Sequence, residues 1–410
     1  MGIREKMFVN LSDENQDRIS GWLTRTGLAL RAPPFKAWSR AFECWGADAL
    51  ELREAFAQAR DAGPSLVASL HTLAGEIRGL ARIVEDAGET DLARKLYYRA
   101  ALYYLAADGM TQDSRSSLRH YQLVMPCFDR FRMLSAPSIA KLDFPYPLGT
   151  LTAHFRLPLV GHAPFPAIVI LPGNDTVKEY MVLLEALALA RGIATLTIDP
   201  PGWGESGLTG NRCRSAQDLR HCVQLAVDFL QGHPQICPDA IGIFGVDLGG
   251  LLAFYCAGLA PCFAAAAGLG GIFYVKQVWP RMPALQKRRI YRYTGLETPK
   301  ELTKWFDQLE IEATLSQVCC PTLIVHGEKD TLIGPENACA LAGAVRGETE
   351  VEIIPDEDHL CTQTLFQGVA DRIFDWFADC LKREIQQSRM RRAGWLALQE
   401  MSFKCPAAVS

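Results

Sequence analysis

Residues 241–250, IGIFGVDLGG, decide the fold of this chain. The first half of this stretch is apolar or glycine, as in a short strand that is buried on both faces. A Gly-x-Asp-x-Gly turn follows, and an apolar helix begins at Leu248. Glycines are needed at Gly245 and Gly249 because larger side chains would collide with the neighbouring strand and helix. Such a turn strains the backbone of Asp247 and projects its carboxylate above the sheet.

Length and composition set the broad class of protein. The chain has 410 residues, enough for a large core domain and an accessory domain. It is 49% hydrophobic with a net charge of −4, so neither nucleic acid nor an anionic membrane is expected as a partner. The start lacks the apolar segment of a secretion signal, and no apolar stretch is long enough to span a bilayer. The 13 cysteines lack C-x-x-C spacing, which favours reduced thiols in a cytoplasmic protein.

Two kinds of pattern divide the chain. Residues 1–135 place apolar side chains three and four positions apart, which predicts a helical N-terminal lid domain whose first helix lies between Ser12 and Gly27. Residues 136–410 alternate apolar strands with amphipathic helices, which predicts a mostly parallel, doubly wound sheet covered on both faces. Residues 274–312 interrupt this alternation as a small insertion near the site. The expected fold class is therefore α/β, with the chemistry in the second domain.

Three polar residues follow late strands of the predicted sheet. Asp247 stands at the turn, Asp330 follows the strand in LIVHGEKD, and His359 follows the last strand in VEIIPDEDHLC. Each residue taken alone also has a purely structural interpretation: Asp247 as a helix N-cap, Asp330 as a polar turn residue and His359 as a surface histidine. Ligands bind beyond the carboxyl ends of parallel strands, and this is the order in which one class of hydrolases presents nucleophile, acid and histidine. Together they predict a catalytic triad.

Further candidates surround this triad. The backbone N–H groups of Asn174, in ILPGNDTVKEY, and of Leu248 are predicted to form a two-donor oxyanion hole. Trp203, Tyr104 and Tyr291 are candidate substrate contacts, although tyrosines at helical spacing more often serve packing. The other histidines have no metal-ligand spacing, and neither a P-loop nor a dinucleotide fingerprint is present. No metal or cofactor is therefore expected.

The motifs together resemble a known family. DFPYPLGTLTAHFRLP, AIVILPGNDTVKEY, DPPGWGESG, GVDLGG, PTLIVHGEKD and DEDHLC are similar to segments of the α/β-hydrolases related to 2,6-dihydroxypseudooxynicotine hydrolase, a group that includes chain-shortening hydrolases of fungal pigment pathways. The resemblance covers residues 40–385 or so. It implies an α/β-hydrolase fold with a lid, a homodimer, and cofactor-free hydrolysis of C–C or ester-like bonds beside a ketone in bulky, often aromatic small molecules.

The resemblance also implies roles for individual residues. Asp247 takes the nucleophile position, Asp330 that of the acid and His359 that of the base, with Asn174 and Leu248 as oxyanion donors. The family has serine where this chain has Asp247, which leaves the bond and the substrate open.

Three uses of a carboxylate at this position stay open. As a nucleophile, Asp247 attacks an sp³ carbon, as in haloalkane dehalogenases and epoxide hydrolases, and His359 then activates water to cleave the resulting ester. As a general acid or base, Asp247 supports a lyase, dehydratase or cyclase reaction. The third alternative is a non-catalytic ligand binder. The sequence favours a hydrolase of C–C, ester or strained C–O bonds in a bulky ketone or polyketide-like secondary metabolite.

Overall fold

A computed structural model describes residues 33–61, 65–111, 114–309 and 311–403. The helix predicted between Ser12 and Gly27 lies outside these ranges. Within them, the N-terminal region is helical, as its apolar spacing predicts. Its helices are α1 (Pro33–Cys44), α2 (Ala49–Asp61), α3 (Leu66–Asp86), α4 (Thr90–Met110) and α5 (Ser114–Met133).

The sequence of α3 shows why this region folds as helices. Ser65 caps α3, since its side chain accepts the backbone N–H of Ala68 at 3.2 Å. Leu70, Ala74 and Ile77 follow at helical spacing and are buried. Their burial against neighbouring helices stabilises the region more than intrinsic helix propensity does.

The rest of the chain is built around one sheet. Its order is β1-β2-β4-β3-β5-β6-β7-β8, with β2 antiparallel to both of its neighbours and the strands from β3 to β8 parallel. The strands are β1 (Ala140–Tyr146), β2 (Gly149–Arg156), β3 (Phe165–Leu171), β4 (Ala194–Ile198), β5 (Ile236–Val246), β6 (Ala265–Leu269), β7 (Thr322–Gly327) and β8 (Thr349–Ile354). The central strands β3 to β7 are almost wholly buried, as expected for a sheet with helices on both faces.

Helices connect the strands. Between the parallel strands lie α6 (Val182–Ala190), α7 (Gly204–Leu208), α8 (Ala216–Gly232), α9 (Leu248–Leu259) and α14 (Glu336–Ala344). The predicted insertion, residues 274–312, contains α10 (Val275–Val278), α11 (Ala284–Thr294) and α12 (Pro299–Gln308), and α13 (Ile311–Leu315) begins at its end. The last helix, α15 (Val369–Phe403), begins directly after Gly368, whose φ of 143° no helix accepts.

A buried ionic cluster ties the N-terminal helices to the sheet. The ammonium of Lys178 is fully buried and lies within ion-pair distance of three carboxylates: Glu179 at 2.8 Å, Asp199 at 3.0 Å and Glu205 at 3.2 Å. Tyr121 of α5 donates its hydroxyl to Glu179 at 2.8 Å. Burial raises the pKa of Glu179 against the opposing effect of Lys178. The α5 helix therefore meets the chain just after the Asn174 loop through a hydrogen bond from its Tyr121 hydroxyl to this charged cluster.

Candidate active site

The turn after β5 holds Asp247 in a strained conformation. Its φ of 52° and ψ of −122° lie in a region that side chains rarely adopt. The backbone N–H of Asp247 donates to the carbonyl of Leu269 at 2.8 Å, which fixes the turn against β6. A Cβ at Gly245 would lie 1.9 Å from the carbonyl oxygen of Gly249, so this position requires glycine. The sequence pattern thus produces the elbow through close backbone approach.

Asp247, His359 and Asp330 lie in one hydrogen-bonded row. His359 Nε2 is 3.2 Å from Asp247 Oδ1, and His359 Nδ1 is 2.7 Å from Asp330 Oδ2. The other oxygen of Asp330 accepts the backbone N–H groups of Leu332 and Ile333, each at 2.9 Å. These bonds fix the acid carboxylate, which in turn orients the imidazole. The structure therefore brings together the three residues that the sequence predicted as a triad.

The electrostatics of this row differ from those of a serine-based triad. Burial by itself would lower the pKa of His359, but the charge of Asp330 and the hydrogen bonds to Asp247 and Asp330 raise it well above its ordinary value. Burial would likewise raise the pKa of Asp330, yet the charge and hydrogen bond of His359 hold it well below its usual range. The position of His359 between these two side chains therefore favours the protonated form of its imidazole.

The predicted oxyanion donors also lie at the elbow. The backbone N–H of Asn174 donates to Asp247 Oδ2 at 2.8 Å, so the carboxylate itself occupies this donor. Leu248 is the first residue of α9, where backbone N–H groups lack intrahelical partners. A Cβ at Gly173 would lie 2.9 Å from the Cβ of Asp247, so only glycine lets the loop approach this closely. The two carboxylate oxygens thus have different partners, Asn174 and His359.

The structure gives Trp203 a different place from the predicted substrate contact. Its side chain is 1% exposed, and its ring stacks on Tyr293 with centroids 3.9 Å apart. Its indole Nε1–H donates to the carbonyl of Gly173 at 3.0 Å. Because other protein groups cover the whole ring, Trp203 supports the Asn174 loop from behind and presents no surface to a substrate. The prediction of a pocket-lining side chain is corrected accordingly.

Tyr104 is likewise placed within the helical region. Its ring is 1% exposed, meets His71 edge-on at 5.3 Å and has the guanidinium of Arg78 at 6.0 Å. Both neighbours belong to α3, so helix packing accounts for this tyrosine and the predicted substrate contact is not seen. Tyr291 is half-buried on α11, with its ring edge-on to Trp279 at 5.9 Å. Its substrate contact stays a prediction.

Two further residues contact the site, although the sequence pattern did not assign them to it. Tyr293 donates its hydroxyl to the carbonyl of Asn174 at 2.8 Å, although 119 residues separate the two along the chain. His326 is fully buried, and its Nε2 lies 3.0 Å from Asp330 Oδ2. The four-residue spacing of His326 and Asp330 across the end of β7 is a local signal that could have indicated this contact. No local signal connects Tyr293 to its partner.

Within the described ranges, no group of three or more His, Cys, Asp or Glu side chains is arranged to hold a metal ion. The helices of those same ranges include none that is both long and apolar enough to cross a membrane.

Strand order and site together define the class of fold. The sheet has antiparallel β2, a strained turn after β5, an acid after β7 and a histidine after β8. This is the α/β-hydrolase fold. The fold class expected from the sequence is confirmed.

Comparisons with known proteins agree with this fold class. Residues 181–384, about half of the chain, match the prolyl oligopeptidase family. The chain is 33% identical over 236 residues to 2,6-dihydropseudooxynicotine hydrolase of Paenarthrobacter nicotinovorans, an alignment that covers 56% of this chain and 62% of the relative. It is 26% identical over 185 residues to hydrolyase poxO of Penicillium oxalicum, covering 40% and 42% of the two chains.

A solved structure extends this similarity. The crystal structure of 2,6-dihydroxy-pseudo-oxynicotine hydrolase superposes with a TM-score of 0.75 at 26% identity, over 84% of this chain and 95% of that one. The curated relatives are matched over less than two thirds of their length: 62% of the first and 42% of the second. Because 84% of this chain is more than residues 136–410 contain, the structural similarity includes part of the helical region as well as the sheet.

Proposed function

We propose that the chain is a hydrolase of a bulky, ketone-bearing or polyketide-like small molecule, with Asp247 as its nucleophile. The observation that carries this proposal is the placement of the Asp247 carboxylate. One of its oxygens accepts the N–H of Asn174 at 2.8 Å, and the other faces His359 at 3.2 Å. A carboxylate needs no deprotonation before it attacks. The similarity to a named hydrolase supports the reaction class.

The first step forms an ester on Asp247. Its Oδ1 attacks an electrophilic carbon, and the bond from that carbon to a strained or otherwise activated oxygen breaks. The electron pair of the broken bond goes to the leaving oxygen, which takes the Nε2 proton of His359. This proton is available because the two neighbouring carboxylates keep the resting imidazole protonated.

The second step hydrolyses that ester. Esterification removes the negative charge of Asp247, one of the groups that raise the pKa of His359, so the neutral imidazole now accepts a proton from water. The hydroxide attacks the ester carbonyl, whose oxygen already accepts the Asn174 N–H and meets a second donor in Leu248 at the start of α9. The Cγ–Oδ1 bond of Asp247 then breaks, and the alkoxide that leaves takes from His359 the proton that water had given it, so the product alcohol carries an oxygen from Asp247. The carboxylic acid that remains returns its proton to His359.

The surroundings of the site suggest the kind of substrate. We propose that α1–α5 act as a lid, and that aromatic side chains of the insertion, Tyr291 among them, contact a partly aromatic or polyketide-like molecule. The homodimer and the cytoplasmic location expected from the sequence belong to this proposal as well.

One observation favours a second candidate function. The resting site holds a protonated imidazole directly beside a carboxylate, which is a ready acid–base pair. Such a pair catalyses a dehydration, elimination or cyclisation with Asp247 as base and no covalent intermediate. The name hydrolyase of the Penicillium oxalicum relative is consistent with this alternative.

Single turnover in water enriched in oxygen-18 separates the two functions. The enzyme, in excess, is mixed with each member of a panel of aryl epoxides, aryl alkyl esters and β-diketones. The mass of the proteolytic peptide that contains Asp247 is then measured by mass spectrometry. The nucleophilic route predicts one heavy oxygen in Asp247 and none in the first-turnover product. Heavy oxygen in the product with an unlabelled Asp247 contradicts it. With an aryl alkyl ester, whose carboxylate leaving group needs no proton from His359, the variant H359Q should accumulate the ester as added substrate mass on Asp247. The variant D247A should show neither signal.

A further inference from the structure

One peptide group connects the loop before Asn174 to the elbow. The carbonyl of Gly173 and the N–H of Asn174 belong to the same planar peptide. The carbonyl accepts the indole Nε1–H of Trp203 at 3.0 Å, and the N–H donates to Asp247 Oδ2 at 2.8 Å. The peptide is therefore held at both ends, by a donor on one side and an acceptor on the other.

This arrangement allows only one orientation of the peptide. Turned over, it would direct the carbonyl of Gly173 at the Asp247 carboxylate and leave the indole N–H of Trp203 without its acceptor. Trp203 and Asn174 are each 1% exposed, so water does not replace the lost bonds. Hydrogen bonds in series also polarise one another, which strengthens the bond that reaches the carboxylate.

A second contact holds the following peptide. Tyr293, stacked on Trp203, donates its hydroxyl to the carbonyl of Asn174 at 2.8 Å. A Cβ at Gly202 would lie 2.3 Å from the carbonyl oxygen of Tyr293, so the turn that carries Trp203 lies directly against α11. The backbone oxygen of Gln286, also on α11, accepts the side-chain amide of Asn174 at 3.2 Å. The insertion thus fixes the loop from its outer side.

We propose that Trp203 is a positioning residue, which sets the orientation of the Asn174 N–H toward Asp247 and so directs the other oxygen of the carboxylate to His359. Its effect on catalysis rests on the proposed function of Asp247. Its effect on the Asn174 amide is independent of that function.

The matched pair W203F and W305F tests the structural part. Both replace a buried indole with phenyl, but the Trp305 Nε1–H has no hydrogen-bond partner within the described residues. In backbone amide NMR spectra of the full chain, W203F should move the Asn174 amide proton upfield and speed its exchange with solvent by about 10-fold or more, because the bond to the carboxylate weakens. W305F should leave both unchanged. An Asn174 amide that is unaltered in W203F overturns the proposal.

The kinetic part uses the substrate found in the oxygen-18 experiment. W203F should lower kcat about 10- to 100-fold with less than about a 3-fold change in KM, since outer hydrogen-bond partners typically have effects of that size. An equal loss in W305F, or an effect confined to KM, contradicts the positioning role. If the Asn174 amide responds but Asp247 never acquires heavy oxygen, the positioning stands and the nucleophilic function fails. Should W203F not fold, the benzothiophene analogue of tryptophan, which keeps the shape and lacks the N–H, takes its place with the same expected results.

Discussion

His359 Nε2 lies 3.2 Å from Asp247 Oδ1, although 112 residues separate them in the chain. A serine at this position would present a hydroxyl that a neutral histidine must deprotonate. A carboxylate has the opposite effect, since it stabilises the protonated imidazole. The replacement therefore changes the resting histidine from a base into an acid. The covalent and the acid–base routes both begin from that state.

The raised pKa of His359 predicts how stability depends on pH. A group whose pKa is raised by folding stabilises the folded state fully below its unfolded pKa, about 6.5 for histidine, and this contribution disappears as pH rises through the folded pKa. We expect wild type to lose free energy of unfolding relative to H359Q as pH rises from about 6.5. Urea unfolding of both proteins across that range measures the difference, and parallel curves would contradict the prediction.

D247S should convert the site to serine chemistry. The substitution removes the carboxylate that occupies the Asn174 N–H, so this donor becomes available to a substrate carbonyl. It also removes a charge that raises the pKa of His359, which favours the neutral base that serine requires. Hydrolysis of p-nitrophenyl acetate by D247S should exceed that by D247A by about 10-fold or more. Equal rates would show that the rest of the site does not support acyl transfer.

Lys178 should be essential for the stability of the junction between α5 and the sheet. K178M leaves the buried carboxylates of Glu179 and Asp199 without their cation, whereas Glu205 keeps its ion pair with Lys141, and the loss should cost about 3–5 kcal/mol of unfolding free energy. The matched control K276M removes an exposed lysine that pairs with Asp307, and its cost should stay below about 1 kcal/mol. Urea denaturation measures both. Similar losses in the two variants would mean that the buried cluster contributes little.

The framework of the site could be predicted from short patterns. Gly-x-Asp-x-Gly between an apolar strand and an apolar helix demands the elbow, because only glycine fits where Gly245 meets the carbonyl of Gly249. Asp330 and His359 each follow a recognisable strand, and parallel strands end at one edge of a sheet. Their order along the chain was therefore enough to expect them close together. The structure places them at 2.7 Å.

The placement of the aromatic side chains needed the three-dimensional structure. Trp203 sits in a glycine-rich turn that is typical of a pocket wall, yet Tyr293 of the insertion covers its ring. Tyr104 belongs to a helix whose tyrosines face in several directions, so the sequence did not show what its ring would contact. In the structure the ring contacts His71 of α3. These contacts join parts of the chain that no local periodicity relates.

By itself, the sequence determined the α/β-hydrolase fold, the elbow and the identity of the residue at its tip, since these depend on side-chain size and spacing within single strand–turn–helix units. The sequence also predicted which residues surround that carboxylate, but only the tertiary structure decided which of its two oxygens each of them contacts. Its two oxygens are distinguished by the Asn174 N–H at 2.8 Å and by His359 at 3.2 Å, partners from segments distant in the chain. The charge state of the histidine follows from those distances, because electrostatic interactions depend on separation and burial rather than on sequence order.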